Sequence, residues 1–175
     1  VYDREPMRSA LYGLFVVSCV VAGGWSMRAL AQQQGRPVEP PRTFQYTREQ
    51  LQQFEAQLRP RMNQYKQAAE QVANFGNQTA WVAHREADGL VEIHEGWSDL
   101  MFVISGEASL RVGGEMASPY AESPGEVRSA TGSGGEVRTI RAGDVVNVPA
   151  GVPHQFLIRP GQQVTFFTMK IVKPI

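Results

Sequence analysis

The 175-residue chain offers little reactive chemistry beyond acids and imidazoles, having three His and a single Cys. One thiol excludes a disulfide framework within the monomer and any multi-thiolate zinc site. Acid–base work or metal ligation therefore falls to His and to carboxylates. Glu92 and His94 stand at i and i+2 in an alternating run, so on a strand both point to one face. Asp99 opens the next such run. His154 comes directly after the turn-forming stretch Pro149-Ala150-Gly151-Val152-Pro153.

The elements that must hold these groups fall into two regimes. From Thr79 onward the apolar period is 2, and short runs are separated by Gly and Pro. Strands are expected over 79–86, 90–94, 100–105, 108–112, 136–141, 145–148, 155–158 and 164–171. Such a pattern predicts an all-β sandwich or barrel over 77–175. A Gly/Ser/Pro-rich insertion at 113–135 reads as a loop or mobile hairpin. It contains Gly-Glu-Val-Arg at 125–128, repeated at 135–138, which is too short to make a solenoid.

Asp88-Gly89 reads as a two-residue hairpin turn. That register pairs Arg85 with Glu92 and His84 with Ile93, which turns His84 away from the Glu92 face. Glu92 is then either a ligand-type carboxylate or a cross-strand ion-pair partner of Arg85. Asp99 has a similar alternative, capping the turn at Gly96-Trp97-Ser98.

Before Thr79 the spacing is helical. Thr47-Arg48-Glu49-Gln50 forms a capping box, and Leu51, Phe54 and Leu58 recur on one helix face. Pro60 should end or kink that helix. Met62, Tyr65, Ala69 and Val72 continue a similar stripe to Phe75, so 47–76 is expected as an amphipathic helical region packing on the barrel. Residues 32–46, rich in Gln, Pro and charge, read as a flexible linker.

Arg8, the apolar run from Ala10 to Trp25 and the triplet Ala29-Leu30-Ala31 make 1–31 a signal peptide with upstream residues, cleaved after Ala31. Met7 is a plausible true start. The apolar core is short for a spanning helix, although an uncleaved membrane anchor and lipid attachment at Cys19 are competing readings. Cleavage implies a periplasmic or secreted protein with no stable membrane association and no Cys. With 17 Lys+Arg against 17 Asp+Glu, no electrostatic argument for nucleic-acid binding remains.

At this point the residues resemble a known family, the cupins. The second cupin motif, G-x5-P-x-G-x2-H-x3-N, is matched by Gly143, Pro149, Gly151 and His154, with Ile158 in place of the final Asn. The first, G-x5-H-x-H-x(3,4)-E-x6-G, is degenerate. Gly106 ends it, Asp99 stands at the Glu position, His94 at the second His, Glu92 at the first His and Glu86 at the leading Gly.

The resemblance covers 81–171 and implies a single double-stranded β-helix, or jelly-roll, barrel. It implies an interior site in which His94 and His154, with Glu92 and Asp99, hold a divalent transition metal, one of Fe, Mn, Ni or Zn. Strand parity then puts Trp81, Arg85, Met101, Val103, Phe156 and Ile158 on the pocket wall, or packs them as barrel filling. The expected function is that of an exported metal-dependent cupin acting on a small organic molecule, by dioxygenase, isomerase or lyase type chemistry, with Glu92 or Asp99 as candidate general base. The rival is a non-catalytic binding or sensing module with a degenerate site. Pairing through sheet edges, which the family often shows, implies a homodimer.

Overall fold

The computed structural model describes residues 36–173, so the expected signal segment lies outside the described residues. Thr47 caps a helix, α1 (Arg48–Leu58). Its Oγ1 accepts from Gln50 N at 3.2 Å, and Gln50 Oε1 accepts from Thr47 N at 2.9 Å. The helix stops at Leu58 and passes into a single 3-10 turn, Arg59–Arg61, around Pro60. Among the described residues no helix is long and apolar enough to cross a membrane.

The second half of the expected helical region is instead a strand. β1 (Gln67–Asn74) pairs antiparallel with β2 (Gln78–Arg85). A bulge between Gln71 and Ala73 turns the consecutive Val72 and Ala73 into one apolar cluster. That extra residue breaks the period of 2 and leaves a spacing that mimics a helix. The tether reading is also corrected from residue 36 onward. Glu39 N donates to Asn74 O at 2.7 Å, Phe44 stacks on Phe75, and Tyr46 meets Phe54 edge-on.

The chain continues through β3 (Val91–His94), β4 (Trp97–Val112), β5 (Glu115–Ala117), β6 (Tyr120–Ser123), β7 (Glu126–Ser129) and β8 (Thr131–Ser133). It closes with β9 (Glu136–Arg141), β10 (Val145–Val148), β11 (His154–Leu157) and β12 (Val164–Val172). One sheet runs β1-β2-β12-β4-β10 and the other β9-β4-β11-β3-β7-β6. β4 belongs to both: the two strands expected at 100–105 and 108–112 form a single 16-residue strand.

One further expectation is corrected. Asp88-Gly89 does not close a hairpin, because β2 pairs with β1 and β12 while β3 pairs with β7 and β11. The turn carries the chain from one sheet to the other. Asp88 Oδ1 accepts from Ile158 N at 2.6 Å, and Gly89 N donates to Phe156 O at 2.9 Å. Of the two readings of the 113–135 insertion, loop or hairpin, the paired strands match the hairpin. β5 pairs with β8, β6 with β7, and β7 extends the second sheet beside β3.

Met101, Val103, Leu110, Phe156 and Phe166 form the core between the sheets. A second cluster, with Leu58, Val72 and Val82, seals α1 against the outer face of the first sheet. Burial of both faces of β2 and β12 anchors them, and the inner face of the paired sheets is left to present the polar groups described next.

Candidate metal centre

Glu92 and His94 lie on β3, and His154, the first residue of β11, is the register partner of Glu92. Asp99 comes from β4. The strands are tied at Gly151, whose N–H donates to His94 O at 2.8 Å. Gly151 holds φ +79°, a left-handed conformation in which a Cβ is strained. That requirement gives the Gly of the second motif a physical reason.

Each of Glu92, His94 and His154 offers one ligand atom within 4.8 Å of the others'. His94 Nε2 stands 3.6 Å from Glu92 Oε2 and 3.3 Å from Asp99 Oδ2. His154 Nε2 lies 3.7 Å from the same Asp99 oxygen. The other nitrogens are engaged: His94 Nδ1 meets Glu126 Oε2 at 2.5 Å, and His154 Nδ1 meets Val152 O at 3.3 Å. Where Nδ1–H is donated outward, each ring leaves Nε2 facing the carboxylates as the nitrogen a metal would take, the arrangement of a metal-binding His whose outer carboxylate or carbonyl sets its tautomer. The donor set of two imidazoles and oxyanions suits a divalent transition metal and does not select one.

Cations surround these acids. Arg85 binds Glu92 Oε1 at 2.8 Å and Arg128 approaches Glu92 Oε2 at 3.1 Å. Lys170 Nζ lies 3.0 Å from Asp99 Oδ1. Burial alone would raise the Glu92 pKa, but the two guanidinium charges outweigh it and hold the carboxyl far below its usual range. For Asp99, burial is likewise outweighed by the His94 hydrogen bond and the Lys170 charge. Burial lowers the His154 pKa and keeps that ring neutral, whereas at His94 the hydrogen bonds to Asp99 and Glu126 overcome burial and raise it.

All four sequence-identified groups therefore come together, and both readings of Glu92 coexist. It faces Nε2 of His94 with one oxygen and Arg85 with the other. The Arg85 contact spans the two sheets and is not a pairing within a hairpin. Asp99 takes Lys170 as partner rather than capping the Gly96 turn. His84 lies on the outer face, fully buried, with Nδ1 2.8 Å from Thr165 Oγ1. Of the residues expected on a pocket wall, Met101, Val103, Phe156 and Ile158 are buried in the core. Phe156 stacks on Phe166 at 4.7 Å, and the Arg85 guanidinium lies 5.1 Å from the Phe156 ring centre. Trp81 is half-buried on the same face, with Nε1 donating to Thr79 Oγ1.

Three participants were missed by sequence reasoning: Glu126, Arg128 and Lys170. The first two lie in one copy of the Gly-Glu-Val-Arg repeat, whose Glu-x-Arg alternation is the strand signal that could have placed them on one face. Lys170 shares the parity of Phe166 and Thr168 along β12.

No protein-family profile matches the chain, and no curated protein does. Solved structures do. An uncharacterised protein with a double-stranded β-helix domain from Klebsiella pneumoniae is 17% identical, with 74% of this chain and 90% of that chain covered and a TM-score of 0.50. A cupin-2 domain from Rhodospirillum rubrum is 13% identical over 63% of this chain and 62% of that one, TM-score 0.45. A recombinant oxalate oxidase in complex with glycolate is 14% identical over 63% of this chain, TM-score 0.45, and the chain spans about half of that protein (53%). The two sheets wound on a shared strand define a double-stranded β-helix. The chain is a cupin in fold, with a Glu/His/His cluster able to hold a metal.

Proposed function

We propose that this protein is an exported, metal-dependent cupin that acts on a small organic molecule. One observation carries the reading: one ring nitrogen each of His94 and His154 and an oxygen of Glu92 lie within 4.8 Å of one another, while Nδ1 of each ring meets Glu126 or Val152 O. In this reading His94, His154 and Glu92 hold the ion. Glu92 is pinned as a carboxylate by Arg85 and Arg128, so it makes a poor base. Asp99, with one oxygen 3.3 Å from His94 Nε2 and the other 3.0 Å from Lys170 Nζ, is likewise held as a carboxylate and adds a second acid beside the ion. A bound divalent ion supplies Lewis-acid polarisation of a substrate oxygen. Dioxygenase, isomerase and lyase chemistries all fit such a site.

A second reading, a non-catalytic binding module, draws on a different fact. Arg85, Arg128 and Lys170 already neutralise the acids, so the network stands without an ion. Metal content separates the two. Protein reconstituted with Fe(II), Mn(II), Ni(II) or Zn(II) and freed of excess should retain about one equivalent of at least one of them. His94→Ala and His154→Ala should lose it. Negligible metal in the wild type with all four ions would overturn the metal-dependent reading.

A further inference from the structure

Glu92 divides its two oxygens between different partners. Oε1 accepts from Arg85 Nη2 at 2.8 Å, so Oε2 is the oxygen left for an ion. Oε2 faces His94 Nε2 at 3.6 Å, and Arg128 Nη1 stands 3.1 Å from it. That Nη1 is buried and, among the described residues, has no hydrogen-bond partner. The contact of Arg128 with Glu92 is therefore one of charge, without the aligned N–H of a strong guanidinium–carboxylate pair. Any cation that Oε2 ligates meets the guanidinium across the same oxygen atom, and like charges at that range repel.

The hairpin that carries Arg128 offers its guanidinium a second seat. Arg128 is the register partner of Glu92 on β3 and, on the other side, of Tyr120 on β6. The β6–β7 ladder shifts between Ala121 and Ser123, which makes Glu122 the extra residue of a bulge. A bulge re-aims the side chain it carries, and Glu122 Oε2 accepts from Arg128 Nε at 3.0 Å. Arg128 thus makes its aligned hydrogen bond toward the rim, where Glu122 is 40% exposed. Its misaligned contact is the one with Glu92. Glu126, 3.2 Å from Arg128 Nη2, lies on the same strand as Arg128 and does not decide between the two seats.

We propose that Arg128 is a built-in competitor of the metal: its guanidinium and the ion contend for Glu92 Oε2, and Glu122 receives the guanidinium when the ion binds. Metal occupancy is thereby coupled to the β6–β7 hairpin. The coupling is reciprocal, so whatever draws Arg128 toward Glu122 tightens metal binding. This inference rests on the metal reading above.

The test is a double-mutant cycle on the full chain, read as Zn(II) affinity by competition with a chromophoric chelator. Arg128→Gln removes the competing charge and should tighten Zn(II) binding by at least ~10-fold. Arg128→Lys keeps the charge and should stay near the wild-type value. Glu122→Gln takes away the second seat and should weaken binding by ~3-fold, the scale of a partly exposed ion pair. In the Arg128→Gln background the same Glu122→Gln change should have little effect. Thermal melts establish that each variant is folded. Arg128→Gln binding no tighter than wild type, or an equal Glu122→Gln loss in both backgrounds, overturns this inference and leaves the metal reading standing. Glu122→Gln sits at the rim and tests the idea without disturbing the buried network: unchanged or tighter binding in that single variant also overturns it. No ion retained by the wild type in the reconstitution above, and none by Arg128→Gln, overturns both readings.

Discussion

His94 Nδ1 stands 2.5 Å from Oε2 of Glu126, so a residue of the 113–135 insertion orients a ring carried by a barrel strand. β7 brings Glu126 there by pairing it directly with His94. Glu126→Gln retains the shape but loses the anionic acceptor. Loss of such an outer carboxylate lowers metal affinity by roughly 10–100-fold. Calorimetric titration should show that loss in protein that is still folded, its metal-free thermal midpoint lowered because Arg128 also loses a carboxylate partner. An unaltered affinity would make Glu126 a rim partner of Arg128 only.

His84 provides the opposite case, a buried imidazole outside the site. Its Nδ1 meets Thr165 Oγ1 at 2.8 Å and its Nε2 meets Glu86 Oε1 at 3.3 Å, beneath α1. His84→Ala removes a fully buried ring and the nearest partner of the Thr165 hydroxyl, which keeps only its 3.3 Å contacts to Glu55 and Gln163; the change should cost about 2–4 kcal/mol. Denaturant unfolding should register that cost, while bound metal per folded chain stays at the wild-type level. Metal loss in this variant would mean that the outer and inner faces of β2 are coupled.

The site's four ligand candidates were legible because their placement is local. Strand parity puts Glu92 and His94 on one face, and the Gly151 turn delivers His154. Arg85 was also matched with Glu92, but through a hairpin that does not exist. Turn chemistry at Asp88-Gly89 identifies a reversal and says nothing about which sheet receives the next strand. Glu126 and Lys170 escaped notice because each reaches the site by long-range pairing, β7 with β3 and β12 with β4. The β1 bulge hid a strand for a related reason, since register shifts are decided by the partner strand.

The ion-paired acids predict how the metal-free protein responds to acid. Burial works to raise the Glu92 pKa, but Arg85 and Arg128 prevail and depress it in the folded state. Asp99 and Glu126 shift in the same direction, again against burial. Across this window the unfolded chain binds more protons than the folded one. The stabilisation is therefore complete above the ordinary carboxyl value, about 4.5, and fades as pH falls toward the folded-state values. Thermal melts in chelator should show a midpoint steady near neutral pH and falling from about pH 5 downward. Glu92→Gln should start lower, with Arg85 and Arg128 short of a partner, and fall less steeply. Equal acid slopes in the two proteins would show that the instability arises elsewhere.

The bend that lets β4 serve both sheets depends on Gly106. It holds φ +76°, and a Cβ built there would lie 2.0 Å from the Gln163 carbonyl oxygen, a backbone atom. That oxygen also accepts from Glu107 N at 2.8 Å, and Gly106 O accepts from Ala142 N at 3.1 Å. Neither neighbour can withdraw without breaking these bonds. Gly106→Ala therefore combines left-handed strain with a clash and should destabilise the fold by more than about 3 kcal/mol. Gly96 is the matched control, because a Cβ there meets nothing within 4 Å. Gly96→Ala should stay within about 0.5 kcal/mol of wild type. Chemical denaturation of the pair measures the difference directly, and a Gly106→Ala protein as stable as Gly96→Ala would show that β4 can turn the corner without a glycine.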